Sequence, residues 1–261
     1  MVDFQYLIVK FGNGIGTISI NVPEKLNALN SKVMQEISKA FDVLLVEVGL
    51  KVVVLKGEGG NFAAGADVGE VSVIQGSSDG YAFSQTASAV YDKIYYYPVP
   101  VIAAIEGYAL GGGCELVLAT DLRIATEEAK LGLPEVTLGL LPGGGGTQRL
   151  IRQVGFVKAK ELLFTGRMVG AAEALEIGLL NKVVSKDKLA EETDKLVSKL
   201  LSLPVQTIKL IKNIVNKGAE TDLTTACEIE QQAFGILFST FDTREGIQAF
   251  LEKRKPNFSG K

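Results

Sequence analysis

Histidine is absent from the 261 residues, and cysteine occurs twice, as Cys114 and Cys227. Without histidine there is no Ser-His-Asp or Cys-His nucleophile. Two separated cysteines also leave nearly every zinc constellation unfilled, so no metal site is expected. No glycine loop ends in Gly-Lys-Ser/Thr, which removes the Walker A phosphate loop. The dinucleotide fingerprint starts at Gly12-Asn13-Gly14 and fails at Thr17, where a third glycine is required. A net charge of −3 is not that of a dedicated nucleic-acid binder. The longest apolar stretch, Val99–Ala119, is interrupted by Glu106, Glu115 and four glycines, and no membrane span is expected from it. With no signal-like start and two lone cysteines, the chain reads as cytoplasmic. Its last residues, Ser259-Gly260-Lys261, are not a peroxisomal address. Any catalysis must therefore use carboxylates and backbone amides.

What is present is enough apolar residue, 47%, for a full core. Leu7–Val9 and Gly16–Asn21 alternate as antiparallel strands around the Gly12-Asn13-Gly14 turn. Ser31–Val46 has helical periodicity, with Asn30 or Ser31 as its cap. Val52–Lys56 and Val99–Ile105 are continuous apolar runs, the mark of strands buried on both faces, and Leu122–Ala125 adds a short one. Strands alternating with helices predict an α/β fold. Gly69–Gly80 reads as a mobile rim or lid before a helix near Tyr81–Tyr95. Pro204 marks a boundary between residues 1–203, a core, and residues 204–261, where Ile208–Val215, Asp222–Phe238 and Arg244–Lys253 predict amphipathic helices. Arg149–Lys217 holds 13 Lys/Arg against 7 Asp/Glu, spread as on solvated helix faces.

Two acids stand out. Glu115 follows an apolar strand, a turn at Glu106-Gly107 and the triplet Gly111-Gly112-Gly113, near the start of an apolar helix. Glycines let a ligand approach the backbone, and free N–H groups at a helix start suit an anion or a developing oxyanion. The same run also reads as a packing turn with Glu115 as an ordinary first-turn acid. Twenty residues on, Glu135 follows Pro134 among leucines, where burial would favour its neutral form; taken alone, it also reads as a strand-end surface acid. The helix dipole would favour the charged form of Glu115. Cys114, beside it, reads as a small buried residue.

These segments resemble the crotonase, or enoyl-CoA hydratase/isomerase, superfamily. The resemblance rests on five motifs in family order: Pro23–Asn30 (PEKLNALN), Asn61–Asp67 (NFAAGAD), Ile102–Asp121, Leu133-Pro134-Glu135 with Pro142–Arg149 (PGGGGTQR), and Ala249–Lys255 (AFLEKRK). Two positions depart from the pattern, Val22 where an arginine often precedes the proline and Phe241 where an acid is common. The resemblance implies a spiral of ββα units followed by a helical C-terminal oligomerisation region, assembled as a homotrimer or a dimer of trimers. It implies reversible hydration of trans-2-enoyl-CoA, because hydratases carry both glutamates while many isomerases, hydrolases and decarboxylases of the fold keep one. Enoyl-CoA isomerisation or other enolate chemistry is the enzymatic alternative, and a non-catalytic RNA-binding or scaffolding homologue is a further one.

By the same resemblance Glu115 and Glu135 are catalytic, and the N–H groups of Ala66 and Gly112 form an oxyanion hole. Coenzyme A, part of the substrate rather than a separate cofactor, would lie along Lys25, Ala28, Ala64, Ala66, Asp67, Val68, Gly69 and Gly112. The small residues of the Ala63–Asp67 segment also fit a tight turn after a strand. Paired with the residues' own environments, the arrangement suggests Glu115 as the group that activates water and Glu135 as the group that exchanges the Cα proton, the alternative being that both act together on one water.

Overall fold

The computed structural model describes residues 3–260; Met1, Val2 and Lys261, at the ends of the two segments read from the sequence, lie outside the described residues. The chain opens with a hairpin, β1 (Leu7–Gly12) and β2 (Ile15–Ile20), closed by Asn13 and Gly14, both at positive φ. Helix α1 (Ser31–Leu45) starts where Asn30 accepts the Val33 N–H at 2.9 Å, an N-cap of the expected kind. Strand β3 (Val52–Gly57) then pairs in parallel with β2.

From β3 onward each turn of the chain repeats one plan. A strand joins the main sheet, a shorter strand or bridge joins a second layer, and a helix returns the chain. The first turn is β3, the Ala63 bridge to Ala109, then α2 (Val68–Ser72) and α3 (Gly76–Tyr95). The second is β4 (Val101–Ile105), β5 (Tyr108–Leu110) and α4 (Gly112–Leu118). The third is β6 (Leu122–Thr126), β7 (Lys130–Gly132) and α5 (Gly146–Thr165), the last interrupted at Gly155. Strand β8 (Val169–Gly170), α6 (Ala171–Glu176), β9 (Lys182–Val184) and α7 (Leu189–Leu201) complete it. The main sheet runs β1-β2-β3-β4-β6-β9 and the second β5-β7-β8. The ββα spiral is thus present.

Both faces of the main sheet are covered. Val53, Leu55, Ala103 and Ile105 belong to the large core with Phe41, Tyr91 and Leu116. Val52, Val54, Ile102 and Ala104 form a second cluster with Val197, Leu196 and Leu200 of α7. This explains why β3 and β4 carry unbroken apolar runs. Tyr97 is core, its ring edge-on to Phe41 and its hydroxyl donating to the Phe41 carbonyl at 2.9 Å.

The sequence expectations need three corrections. β4 begins at Val101, because Pro100 has no N–H for a ladder and instead accepts the Val53 N–H at 2.9 Å. Gly69–Gly80 is not a rim of loop: most of it is α2 and the first turn of α3. Asp67 caps α2, and Glu70 ties it to α1 by accepting from Ser31 N at 2.8 Å and Ser31 Oγ at 2.7 Å. The helices between Gly146 and Leu201 were not placed from the sequence at all. Beyond Pro204 come α8 (Val205–Gly218), α9 (Leu223–Leu237) and α10 (Phe241–Leu251), each within a turn of its expected bounds. Buried Lys212 of α8 donates to Asp121 at 2.7 Å and to the Val99 carbonyl at 3.2 Å, fastening α8 to the sheet. No helix among the described residues is long and apolar enough to cross a membrane.

Candidate active site

The site is assembled from the segment before the spiral and from all three of its turns. Residues 25–29 and 64–69 run side by side: the Leu26 carbonyl accepts from Ala64 N at 3.0 Å, Leu29 N donates to the Gly65 carbonyl at 2.7 Å, and Asp67 N donates to the Leu29 carbonyl at 3.1 Å. Buried Asn27 bolts the two loops together. It accepts from Val22 N at 2.8 Å and donates to the Glu58 and Asn61 carbonyls at 2.8 and 2.7 Å. Asn27 sits at φ +57, a left-handed conformation that asparagine tolerates better than most residues. Val22, where the motif departs from its usual residue, is buried and supplies only its backbone to this knot.

Ala66 owes its orientation to that pairing. Its neighbours Gly65 and Asp67 make both hydrogen bonds to Leu29, so the Ala66 N–H points to the opposite side. Gly112 is the first residue of α4, where an N–H has no preceding turn to accept it. Neither N–H has an acceptor among the described residues. The two groups are neighbours: a β-carbon on Gly112 would lie 3.6 Å from Ala66 N. Gly111, at φ +50 and ψ −125, makes the entry to α4 in a conformation open to glycine. Gly113 is held still closer, since a β-carbon there would lie 2.1 Å from the Ala63 carbonyl oxygen. Tyr91 of α3 fixes the glycine turn from behind, its hydroxyl donating to the Gly112 carbonyl at 2.9 Å.

Glu115 is 4% exposed. One carboxylate oxygen, Oε1, accepts from Gly144 N at 2.7 Å and Gly146 N at 2.8 Å. Burial pushes its pKa up to about 7; the Gly146 N–H opposes this, the Glu135 charge adds to it, and the Gly144 N–H and Arg149 pull it back. Glu135 stands in the short turn Pro134–Leu138, beside Gly111, where a β-carbon would lie 3.3 Å from its Oε1. Its Oε2 is buried with no hydrogen-bond partner among the described residues. Burial raises its pKa as well. The expectation that Glu135 tends to neutrality holds in direction. The expectation for Glu115 does not: desolvation outweighs the dipole of its own short helix, and what favours its charge is the pair of amides from a distant loop. Cys114, next to it, is an inert thiol whose pKa burial pushes up to about 12.

The coenzyme positions inferred from the motifs form one rim. Lys25 and Asp67 meet in an exposed 3.5 Å ion pair, Asp67 also accepts from Gly69 N at 2.8 Å, and Val68 is exposed beside them. Ala28 and Ala64 line the paired loops, and Ala66 and Gly112 lie at their inner end. The structure thus brings the named positions together, and adds around them Asn27, Tyr91, Gly144, Gly146 and Arg149, to which the sequence reading gives no role. The run PGGGGT was a signal for the glycines: β-carbons at Gly144 and Gly146 would lie 2.9 Å from Glu115 carboxylate oxygens. Nothing local in the sequence marks Tyr91. Gly144 and Gly145 also line a cleft of about 950 Å³ together with residues of α3, α5 and α8, and neither glutamate lines it.

The family model for enoyl-CoA hydratase/isomerase matches residues 10–261. A crotonyl-CoA hydratase of Syntrophomonas wolfei is 40% identical over 259 residues, 99% of each chain. A short-chain-enoyl-CoA hydratase of Clostridium acetobutylicum is 39% identical over 254 residues, 97% of each chain. Among solved structures, the enoyl-CoA hydratase of Bacillus anthracis superposes with a TM-score of 0.93 at 38% identity, covering 98% of this chain and all of that one. The chain belongs to the enoyl-CoA hydratase/isomerase family, the crotonase superfamily.

Proposed function

We propose that the protein reversibly hydrates a trans-2-enoyl-CoA to the 3-hydroxyacyl-CoA. The observation that carries this is the pairing of two unused, adjacent N–H groups with two carboxyls, Glu115 buried and Glu135 half-buried, the charge of Glu135 acting on Glu115. The thioester oxygen accepts from Ala66 and Gly112, which makes negative charge there tolerable; one such donor is worth roughly 3 kcal/mol at the transition state. Glu115, with a pKa near 7, takes a proton from water as the oxygen bonds to Cβ. The Cα=Cβ electrons shift toward the thioester, and protonated Glu135 delivers its proton to Cα. Glu115 ends protonated and Glu135 ionised, and exchange with solvent resets both. The unpartnered Glu135 Oε2 supports its facing the reacting carbon.

Lys25, Ala28, Ala64, Asp67, Val68 and Gly69 then hold the coenzyme, with Lys25 freed from Asp67 to meet phosphate. Residues 1–203 act as the catalytic core and residues 204–261 as the assembly region of a trimer or dimer of trimers. Support for assembly comes from Phe234, Phe238, Phe241 and Phe250, all exposed on α9 and α10. Two free cysteines fit a reducing cytoplasm. A nucleic-acid role is disfavoured by the pairing of Arg149, Arg152, Lys158, Arg167, Lys182 and Lys195 with acids. Loss of enoyl-thioester absorbance on adding crotonyl-CoA or longer enoyl-CoAs tests the reading. No loss at any chain length, with double-bond migration in its place, would make the protein an isomerase that uses Glu135 alone.

A further inference from the structure

The amides that receive Glu115 belong to a loop with little of its own to hold it. Gly143, Gly144, Gly145 and Gly146 carry no side chains, and Gly145 sits at φ +95. In a trans peptide an N–H and the carbonyl of the preceding residue point opposite ways, so with the 144 and 146 N–H groups on the carboxylate the Gly143 and Gly145 carbonyls turn away from it; side chains grip the loop at the Gly143 and Gly144 carbonyls. Ser84 Oγ of α3 donates to the Gly143 carbonyl at 2.5 Å, with Ser88 Oγ 3.3 Å from the same oxygen. Arg149 of α5 donates through Nη1 to the Gly144 carbonyl at 2.6 Å and through Nη2 to Asp92 of α3 at 2.5 Å. Its guanidinium lies over the Tyr95 ring, 5.6 Å from the centroid. Ser84, Ser88 and Asp92 recur at four-residue spacing, so one stripe of α3 serves the whole contact. The same helix holds the Gly112 carbonyl through Tyr91.

We propose that Arg149 is a positioning residue for Glu115: by tying the carbonyl side of the Gly143–Gly146 loop to α3, it keeps the Gly144 and Gly146 amides aimed at the carboxylate. This rests on Glu115 being the base in the reaction proposed above. A planar fork is required, because one group must reach a carbonyl and a carboxylate in different directions at once. The charge matters in addition to the shape. Glu135 from the Pro134–Leu138 turn, Tyr91 from α3, Cys114 from α4 and Arg149 from α5 are the titratable and charged groups that act on Glu115 or on which it acts; Arg149 is the cation among them.

The test is the pH profile of kcat and KM for Arg149→Gln and Arg149→Lys, with Arg152→Gln as a control on the same helix, where Arg152 pairs with Glu220. The base must be ionised to work, so its pKa sets the acidic limb. In Arg149→Gln that limb should move up by about one pH unit. Activity at neutral pH should fall about tenfold, with KM changed by less than about threefold. Arg149→Lys should keep the limb and still lose kcat several-fold, because an ammonium cannot make both contacts. Arg152→Gln should match the wild type. A wild-type limb in Arg149→Gln, or a change confined to KM, overturns the proposal. If Arg149→Gln does not fold, Arg149→Lys decides, and an undiminished kcat there overturns it. The Glu115 pKa is also readable without turnover, from the pH range over which Glu115→Gln alters stability. Should the wild type prove inactive on every enoyl-CoA, the hydratase reading fails, while this stability window, unmoved or raised by Arg149→Lys or Arg149→Gln, still decides the role of Arg149.

Discussion

Replacing Glu115 with glutamine removes a charge from a place that resists it. Burial holds the carboxyl at about 7 against an ordinary 4.5. One pKa unit is about 1.4 kcal/mol between the protonation states, so ionised Glu115 costs the folded chain roughly 3 kcal/mol. The sign follows from linkage. The folded pKa lies above the unfolded one, so below 4.5 both states hold the proton and nothing is lost; as pH rises through 4.5 toward 7, the unfolded chain releases its proton first and stability falls. Glutamine does not titrate, and its carbonyl oxygen can still accept from Gly144 and Gly146 N–H. Urea unfolding at fixed protein concentration should therefore give similar midpoints for the two proteins near pH 4. Near pH 8 the variant should be the more stable, by up to ~3 kcal/mol. Hydration should fall by about 10²–10⁴-fold in the same variant. A stability difference that does not change with pH would refute the reasoning, as would a wild type that is the more stable near pH 8.

Glu135→Gln should abolish both hydration and exchange of the α-protons of a saturated acyl-CoA with solvent, whereas Glu115→Gln should keep measurable exchange; NMR in deuterated buffer separates them, and equal loss would mean that the pair acts as one unit. Asn27→Ala strips three hydrogen bonds from a buried side chain and puts alanine at φ +57, and should lower stability by about 2–4 kcal/mol in chemical denaturation. Lys212→Met leaves Asp121 buried beside an apolar chain and should cost ~3 kcal/mol, with faster hydrogen exchange in α8.

How much of this could be read beforehand depends on how local each cause is. β3 and β4 were legible because burial on two faces writes an unbroken apolar run, and α1 because Asn30 caps a clean amphipathic period. Gly69–Gly80 was misread because its glycines and serines look like loop, while what makes it helical is the Asp67 cap and the reach of Glu70 to Ser31. The amphipathic α7 was missed although its apolar residues close the back of the sheet. In the site, the glutamates and the glycine triplet were visible as motifs. The electrostatics were not, since the solvent exclusion around Glu115 comes from Tyr91 and the Gly143–Gly146 loop, 24 and about 30 residues away in sequence.

That non-local burial is what suits the site to a reversible reaction. A carboxylate at its ordinary 4.5 would be a weak base toward water and, once protonated, would not keep its proton near neutral pH. In the proposed hydration, Glu115 held near 7 would accept a proton in one direction and return it in the other with little bias. Glu135, its pKa raised by burial, would have the complementary task in that proposal, and since its charge raises the pKa of Glu115, ionisation of Glu135 favours protonation of Glu115. The site therefore favours the singly ionised pair, and in the proposed reaction addition of water would exchange which glutamate holds the proton. The oxyanion donors do not titrate, so this exchange leaves them in place. The shared dependence of the Gly112 turn and the Gly144–Gly146 loop on α3 means that the N–H groups facing the thioester and those facing Glu115 are set by one rigid element, so disturbance of α3 would reach both halves of the chemistry together.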